Sequence, residues 1–313
     1  MKCHCSRRID RMMMEAAMLG AKAIARAKIN LYLEVGARRP DGFHDVTSVM
    51  QTIDVYDELY FRQTDGSAGL ISVRCNDRRV PLGDDNIVWK AIEVFLDKTG
   101  VVLEGGVEVI INKRIPVGAG LAGGSADAAA ALLAMDRMLE LELLETELLE
   151  MASMTGSDVP FCMVGGTSLA RGRGEILEKL PDMPAFKVVL AGSDAQASTA
   201  EVYERFDELA ERPSGDAMLE RMLDAVRACD LVAVCGALHN DLEPATTEAA
   251  QVEEYKRAAL DAGAPGALMT GSGPTVFALV EGLEEAAEAA LELGQVAPVT
   301  IITSFAGRGA ELG

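Results

Sequence analysis

The chain has 313 residues, which at ~150 residues per domain argues for about two domains, and 49% hydrophobic with 25% charged residues excludes a disordered chain. Lys and Arg number 29 against 49 Asp and Glu, a formal net charge of −20. A field of that sign disfavours nucleic-acid partners and an anionic membrane surface, and a small anionic substrate needs a pocket where backbone N–H groups and a few cations outweigh it.

Residues 1 to about 20 place Arg7, Arg8 and Arg11 ahead of Met12-Met13-Met14, but Glu15 interrupts the short apolar stretch, which makes a poor secretory segment. They are expected to form a frayed extension. No window holds the ~18 apolar residues of a membrane span. Six cysteines are too sparse for a disulfide framework in a chain of this length, and Cys3-His4-Cys5 lacks zinc-site spacing and a second ligand pair. Reduced thiols in a cytoplasmic protein are expected.

Alternation from Ala27 to Leu33 predicts a half-buried strand, with Lys28, Asn30 and Tyr32 on one face and Ile29, Leu31 and Leu33 on the other. Arg38-Arg39-Pro40-Asp41-Gly42 reads as a turn. Extended stretches follow at Val49 to Phe61 and Leu70 to Arg74. After Asp84-Asp85, a helix carries Ile87, Val88, Ala91, Val94 and Phe95 as its apolar stripe. Val107 to Ile111 is a strand, and Ser125 is expected to open a long Ala- and Leu-rich helix. A further helix covers about 145–154 and a strand 167–170. Pro181 and Pro184 are expected to bracket a linker. Beyond it come a strand at 186–190, helices near 200–210, 217–228 and 248–260, a hairpin of 267–269 with 275–280, a helix at 283–293 and a strand at 299–303. The irregular order of strands and helices predicts an α+β fold.

The strongest local signal is Pro116-Val117-Gly118-Ala119-Gly120-Leu121-Ala122-Gly123-Gly124-Ser125, directly before the long helix. Glycines let a backbone approach a ligand closely, and the first turn of a helix supplies unpaired N–H donors at the positive end of its dipole, a setting for phosphate. Residues intervene between the preceding strand and the loop, and no Lys follows the last glycine, so neither a dinucleotide fingerprint nor a Walker loop is met. Taken singly, Lys28 reads as a solvated strand lysine, Asp158 as the cap of a short helix, His44 as a turn histidine and Tyr203 as an ordinary helix aromatic. Their joint pattern is more telling.

The glycine loop resembles the phosphate loop of the GHMP kinase superfamily. Ala27-Lys28-Ile29-Asn30-Leu31, Arg38-Arg39-Pro40-Asp41-Gly42-Phe43-His44, Gly156-Ser157-Asp158-Val159-Pro160-Phe161 and Asn240-Asp241-Leu242-Glu243-Pro244 extend the resemblance, in order, from about residue 23 to the C-terminus. They narrow it to the branch that acts on a cytidine-diphosphate-linked methylerythritol in non-mevalonate isoprenoid synthesis. The resemblance implies a two-domain α+β fold, with an N-terminal ATP-binding domain over 21–180 and a C-terminal ferredoxin-like domain over 181–313. It implies ATP and Mg²⁺, transfer to the acceptor's 2-hydroxyl, and a monomer or homodimer with small-molecule substrates as its partners.

Carried over by position, the resemblance makes Asp158 the base that takes the hydroxyl proton, with Lys28 beside it and Asn30 on the same floor. It makes Phe43 and His44 the pair that holds cytosine and Tyr203 the opposing aromatic. Asn86 and Pro116 to Ser125 surround ATP, Ser125 orients Mg²⁺ or a phosphate oxygen, and Gly271, Ser272 and Gly273 border the active site. Ser157 and Phe43 stand where Ala and Tyr are frequent, and Pro274 follows the last glycine motif; none of these removes a catalytic group.

Overall fold

Two long strands carry the first sheet: β1 (Gly20–Arg38) and β2 (His44–Thr64), antiparallel across a turn at 39–43, one residue later than the expected 38–42 because Arg38 still pairs with His44. The computed structural model describes residues 20–65, 68–193, 198–209 and 216–313. The expected extension lies outside the described residues up to position 19, with Cys3, His4 and Cys5. Gly20, assigned to that extension, already pairs with Arg62.

β3 (Ile71–Cys75) runs parallel to β4 (Gly106–Asn112), and β4 antiparallel to β2. Between β3 and β4 lies α1 (Ile87–Thr99), which starts where Asn86 Oδ1 accepts from the Val88 amide and stops at Gly100 in the left-handed region. Its buried stripe is Val88, Ala91, Ile92 and Phe95, so Ile92 takes the place expected for Val94. α2 (Gly123–Leu139), α3 (Glu145–Thr155) and the short α4 (Val159–Val164) follow, then the hairpin of β5 (Thr167–Arg171) and β6 (Ile176–Lys179), which joins β2 through β5.

The second sheet begins with β7 (Lys187–Gly192). After it come α5 (Thr199–Asp207), α6 (Asp216–Ala228), α7 (Leu231–Gly236), β8 (His239–Asn240), α8 (Ala249–Asp261), β9 (Gly266–Met269), β10 (Val276–Val280), α9 (Leu283–Val296), β11 (Val299–Ser304) and β12 (Glu311–Leu312). Its order, β11-β7-β10-β9, all antiparallel, is that of a split β-α-β ferredoxin-like sheet. Val189, Ala191, Val276 and Ala278 on this sheet meet Val252, Tyr255, Ala286 and Leu293 of α8 and α9 in one core. The late segments β8 and β12 return to β1, so the chain's last third helps to complete the first sheet.

β1 departs from the half-buried expectation. Lys28, Asn30 and Tyr32 are as buried as Ile29 and Leu31. One reason is α2, whose Ala126, Ala128, Ala129, Ala130 and Ala131 are all buried and let the helix lie close; burying its Leu132 and Met135 adds about 1.5–3 kcal/mol each. The other is that the glycine loop and the 270–273 loop close over Lys28 and Asn30, while His239 packs on the Tyr32 ring at 5.4 Å. Register irregularities between Arg26 and Lys28 and between Asn30 and Tyr32 flank this stretch, and such breaks re-aim side chains beside functional sites.

Candidate active site

The loop from Pro116 to Ser125 lines a cavity of about 460 Å³ along its whole length. α2 opens at Gly123, two residues before the expected Ser125. Its N-cap position is Ala122, a residue with no side-chain group to satisfy the first amides. Ser125 therefore sits within the first turn, where N–H groups and the helix dipole favour an anion.

The loop is pinned from two sides. Lys28 N donates to Leu121 O (3.1 Å), and Gly120 O faces both Lys28 Nζ (3.4 Å) and Thr270 Oγ1 (3.5 Å). Gly120 has φ +75°, and a Cβ there would stand 2.3 Å from the Thr270 carbonyl oxygen. Gly120→Ala is therefore expected to force the two loops apart and lower stability by about 1–3 kcal/mol; urea denaturation checks the effect.

Lys28, Asn30 and Asp158 come together on the cavity wall. Lys28 Nζ donates to Asn30 Oδ1 (2.7 Å) and lies 3.6 Å from Asp158 Oδ2. Asn30 is fixed in turn: its Nδ2 donates to Ser48 Oγ (2.8 Å), and its backbone N to Thr270 Oγ1 (3.1 Å). Asp158 occupies the N-cap position of α4 but makes no capping hydrogen bond. Its carboxyl faces Lys28 instead.

Gly271 and Ser272 line the same cavity, and Ser272 Oγ meets Thr199 Oγ1 at 3.1 Å. Gly273 is absent from the lining; its amide closes the turn onto Thr270 O (2.9 Å). Asn86 lines the cavity with both side-chain ends engaged, Oδ1 on the Val88 amide and Nδ2 on Pro81 O (2.6 Å).

A second cavity of about 520 Å³ adjoins the first, and Asp158, Ser125, Thr199, Tyr203 and Arg173 belong to both. Phe43, His44 and Tyr203 line it. The Phe43 ring is half exposed, with Arg173 Cζ 5.2 Å from its centroid. His44 is buried against Tyr203, ring centroids 5.1 Å apart, and its Nε2 bonds Asp207 Oδ1 at 3.0 Å. Burial, and secondarily the charge of Asp158, push the Tyr203 hydroxyl up, so it serves this cavity as a neutral phenol.

Residues 86–166 match the family model of the GHMP kinases N terminal domain and residues 219–299 that of the GHMP kinases C terminal. The 4-diphosphocytidyl-2-C-methyl-D-erythritol kinase of Pelotomaculum thermopropionicum is 45% identical over 269 residues, which cover 86% of this chain and 92% of that protein. The chain belongs to the GHMP kinases, within the 4-diphosphocytidyl-2-C-methyl-D-erythritol kinase family. A crystal structure of 4-(cytidine 5'-diphospho)-2C-methyl-D-erythritol kinase aligns with TM-score 0.71 at 30% identity, over 91% of this chain and 99% of that one. The homoserine kinase of Cytophaga hutchinsonii, TM-score 0.77 at 21% identity over 94% and 97%, shares the fold.

Sequence reasoning missed two features of this GHMP kinase. Arg173, in the β5–β6 turn, is a cation at the junction of both cavities; its Gly-rich setting, Arg171-Gly172-Arg173-Gly174, was the available signal. Behind the glycine loop, Lys113 Nζ reaches Asp57 Oδ2 and Asp127 Oδ2, both at 2.6 Å. All three are buried, and Asp57 Oδ1 also accepts from the Arg114 and Ile115 amides (2.5 and 2.9 Å). The cluster thereby ties the loop's first residues to β2 and α2. Among the described residues no helix is long and apolar enough to cross a membrane.

Proposed function

We propose that this chain transfers the γ-phosphoryl group of ATP to the 2-hydroxyl of 4-diphosphocytidyl-2-C-methyl-D-erythritol, a step of non-mevalonate isoprenoid precursor synthesis, in the cytoplasm and as a monomer or homodimer. One observation carries the reading: the Asp158 carboxyl stands where a cavity floored by the glycine loop meets a cavity walled by Phe43, His44 and Tyr203. Residues 21–180 hold the nucleotide, and 181–313 contribute Tyr203, Gly271 and Ser272 to the walls.

In this reading the amides of Gly118 to Ser125 and the start of α2 grip the triphosphate. Asp158 takes the proton of the 2-hydroxyl, the freed oxygen bonds to the γ-phosphorus, and the bond to the β–γ bridging oxygen breaks to release ADP. The work of the protein is alignment and charge stabilisation. Lys28, held by Asn30 Oδ1, offers its ammonium to the transferring group, and Arg173 adds a cation where the two anionic substrates meet. Mg²⁺ usually keeps several waters and takes one or two protein oxygens besides phosphate oxygens. The Ser125 hydroxyl on the cavity wall fits that demand, and the ion would neutralise phosphate charge there.

An ATP-consumption assay tests the proposal by offering the cytidylated methylerythritol beside uncytidylated methylerythritol, homoserine, galactose and mevalonate. Turnover with the cytidylated compound is expected; turnover with homoserine, galactose or mevalonate and none with it would refute the substrate. Stacking on an aromatic ring is worth about 1–3 kcal/mol per base. Phe43→Ala should therefore raise the acceptor KM about tenfold and leave the ATP KM unchanged, and equal effects on both would argue against cytosine in the second cavity.

A further inference from the structure

Asp207, the last residue of α5, has no part in the phosphoryl-transfer chemistry, yet it decides how His44 presents itself. Its Oδ1 lies 3.0 Å from His44 Nε2, and Arg38 Nη1 stands 3.9 Å from its Oδ2. A carboxylate has no hydrogen to give, so the hydrogen of this bond sits on Nε2. The ring plane is fixed by packing, tilted 36° against Tyr203 and edge-on to Phe206 at 6.4 Å. Nδ1 has no hydrogen-bond partner among the described residues, and the ring lines the second cavity. In a neutral imidazole with its hydrogen on Nε2, Nδ1 is an acceptor.

We propose that Asp207 is a positioning residue that sets base specificity: by holding the Nε2–H of His44 it offers the Nδ1 lone pair to the acceptor's pyrimidine, selecting an exocyclic amino group over an exocyclic carbonyl. The inference rests on the reading that His44 faces cytosine. Cytosine brings an N–H donor to Nδ1, whereas uracil at the same position brings a carbonyl oxygen, leaving two acceptors face to face and unpaired. A buried site built for one hydrogen-bond pattern rejects the analogue that cannot complete it. Without Asp207 the ring is free to move its hydrogen to Nδ1, which then donates to that carbonyl, and the preference fades.

The test uses Asp207→Asn, whose amide can donate to Nε2 or accept from it and so no longer dictates the tautomer. Nitrogen NMR of enzyme carrying labelled histidine reports the tautomer in the free protein; the chain has three histidines, and His44→Gln assigns the signal. The wild type is expected to carry its hydrogen on Nε2 and the variant to show a mixture. Competitive inhibition by CDP and by UDP supplies the second reading. The wild-type preference for CDP should fall roughly tenfold in Asp207→Asn at unchanged ATP KM, and Asp207→Glu, which restores a carboxylate, should recover part of it. A wild-type ring with its hydrogen on Nδ1, or an unaltered CDP-to-UDP ratio in Asp207→Asn, would overturn the role of Asp207. Equal wild-type affinity for CDP and UDP would instead sink the cytosine reading and the inference with it, while the tautomer tests Asp207 by itself.

Discussion

Asp158→Ala is expected to lower kcat by two to four orders of magnitude, the usual range for losing a general base, while ATP still binds. The geometry separates the two effects. In the proposed reading the glycine loop and the α2 terminus would hold the triphosphate through backbone groups that do not involve residue 158. The carboxyl stands instead at the seam with the second cavity, 3.6 Å from Lys28 Nζ. Removing a negative charge beside an anionic nucleotide should leave ATP affinity equal or slightly higher, which calorimetry reads directly. Asp158→Asn keeps the shape and loses the proton acceptor, so it should fall nearly as far. A near-normal kcat in either variant would remove Asp158 from the chemistry, and a large loss of ATP affinity would reassign it to nucleotide binding.

How much of this was legible in the chain depended on whether a group acts through its neighbours in sequence. Lys28 and Asn30 are two positions apart on one strand, and the glycine loop is continuous, so their meeting could be read from spacing. The ferredoxin-like order of the second sheet was open to inference only through the family resemblance, because periodicity fixes strands but not their neighbours. The burial of both faces of β1 was hidden for the same reason: nothing in Lys28 to Tyr32 announces that the 270–273 loop and His239 lie over it. Partner choice was equally opaque. Asp57 sits 56 residues from Lys113 and looks like any polar position of a strand, and Asp207 looks like the solvated end of an amphipathic helix. Only the register of β2 against β4, and the seating of α5 beside the 38–44 turn, turn them into partners.

Lys113→Met should be the most damaging of these substitutions to the fold, costing about 3–5 kcal/mol, because it strands the buried Asp57 carboxylate without its cation. In the native cluster the single ammonium faces Asp57 and Asp127, and the two acids are not equivalent. Asp57 Oδ1 collects two backbone amides, whereas Asp127 Oδ1 is buried with no hydrogen-bond partner. Burial, aided by Asp57 and opposed by Lys113, pushes the Asp127 carboxyl up to about 8. An acid whose pKa is higher folded than unfolded binds more protons in the native state between the two values. Its contribution to stability is therefore full below the ordinary carboxylate range and declines as the pH rises toward about 8. Asparagine resembles the protonated acid. Asp127→Asn, which keeps the neutral form at every pH, should thus gain on the wild type as the pH rises from the ordinary carboxylate range toward about 8 and hold that gain above it. Urea denaturation of both variants across about pH 6 to 9 checks the pair of effects. A wild type that instead gains stability relative to Asp127→Asn with rising pH would mean that Asp127 is held ionised by Lys113, and that the loop is anchored by two full ion pairs rather than one.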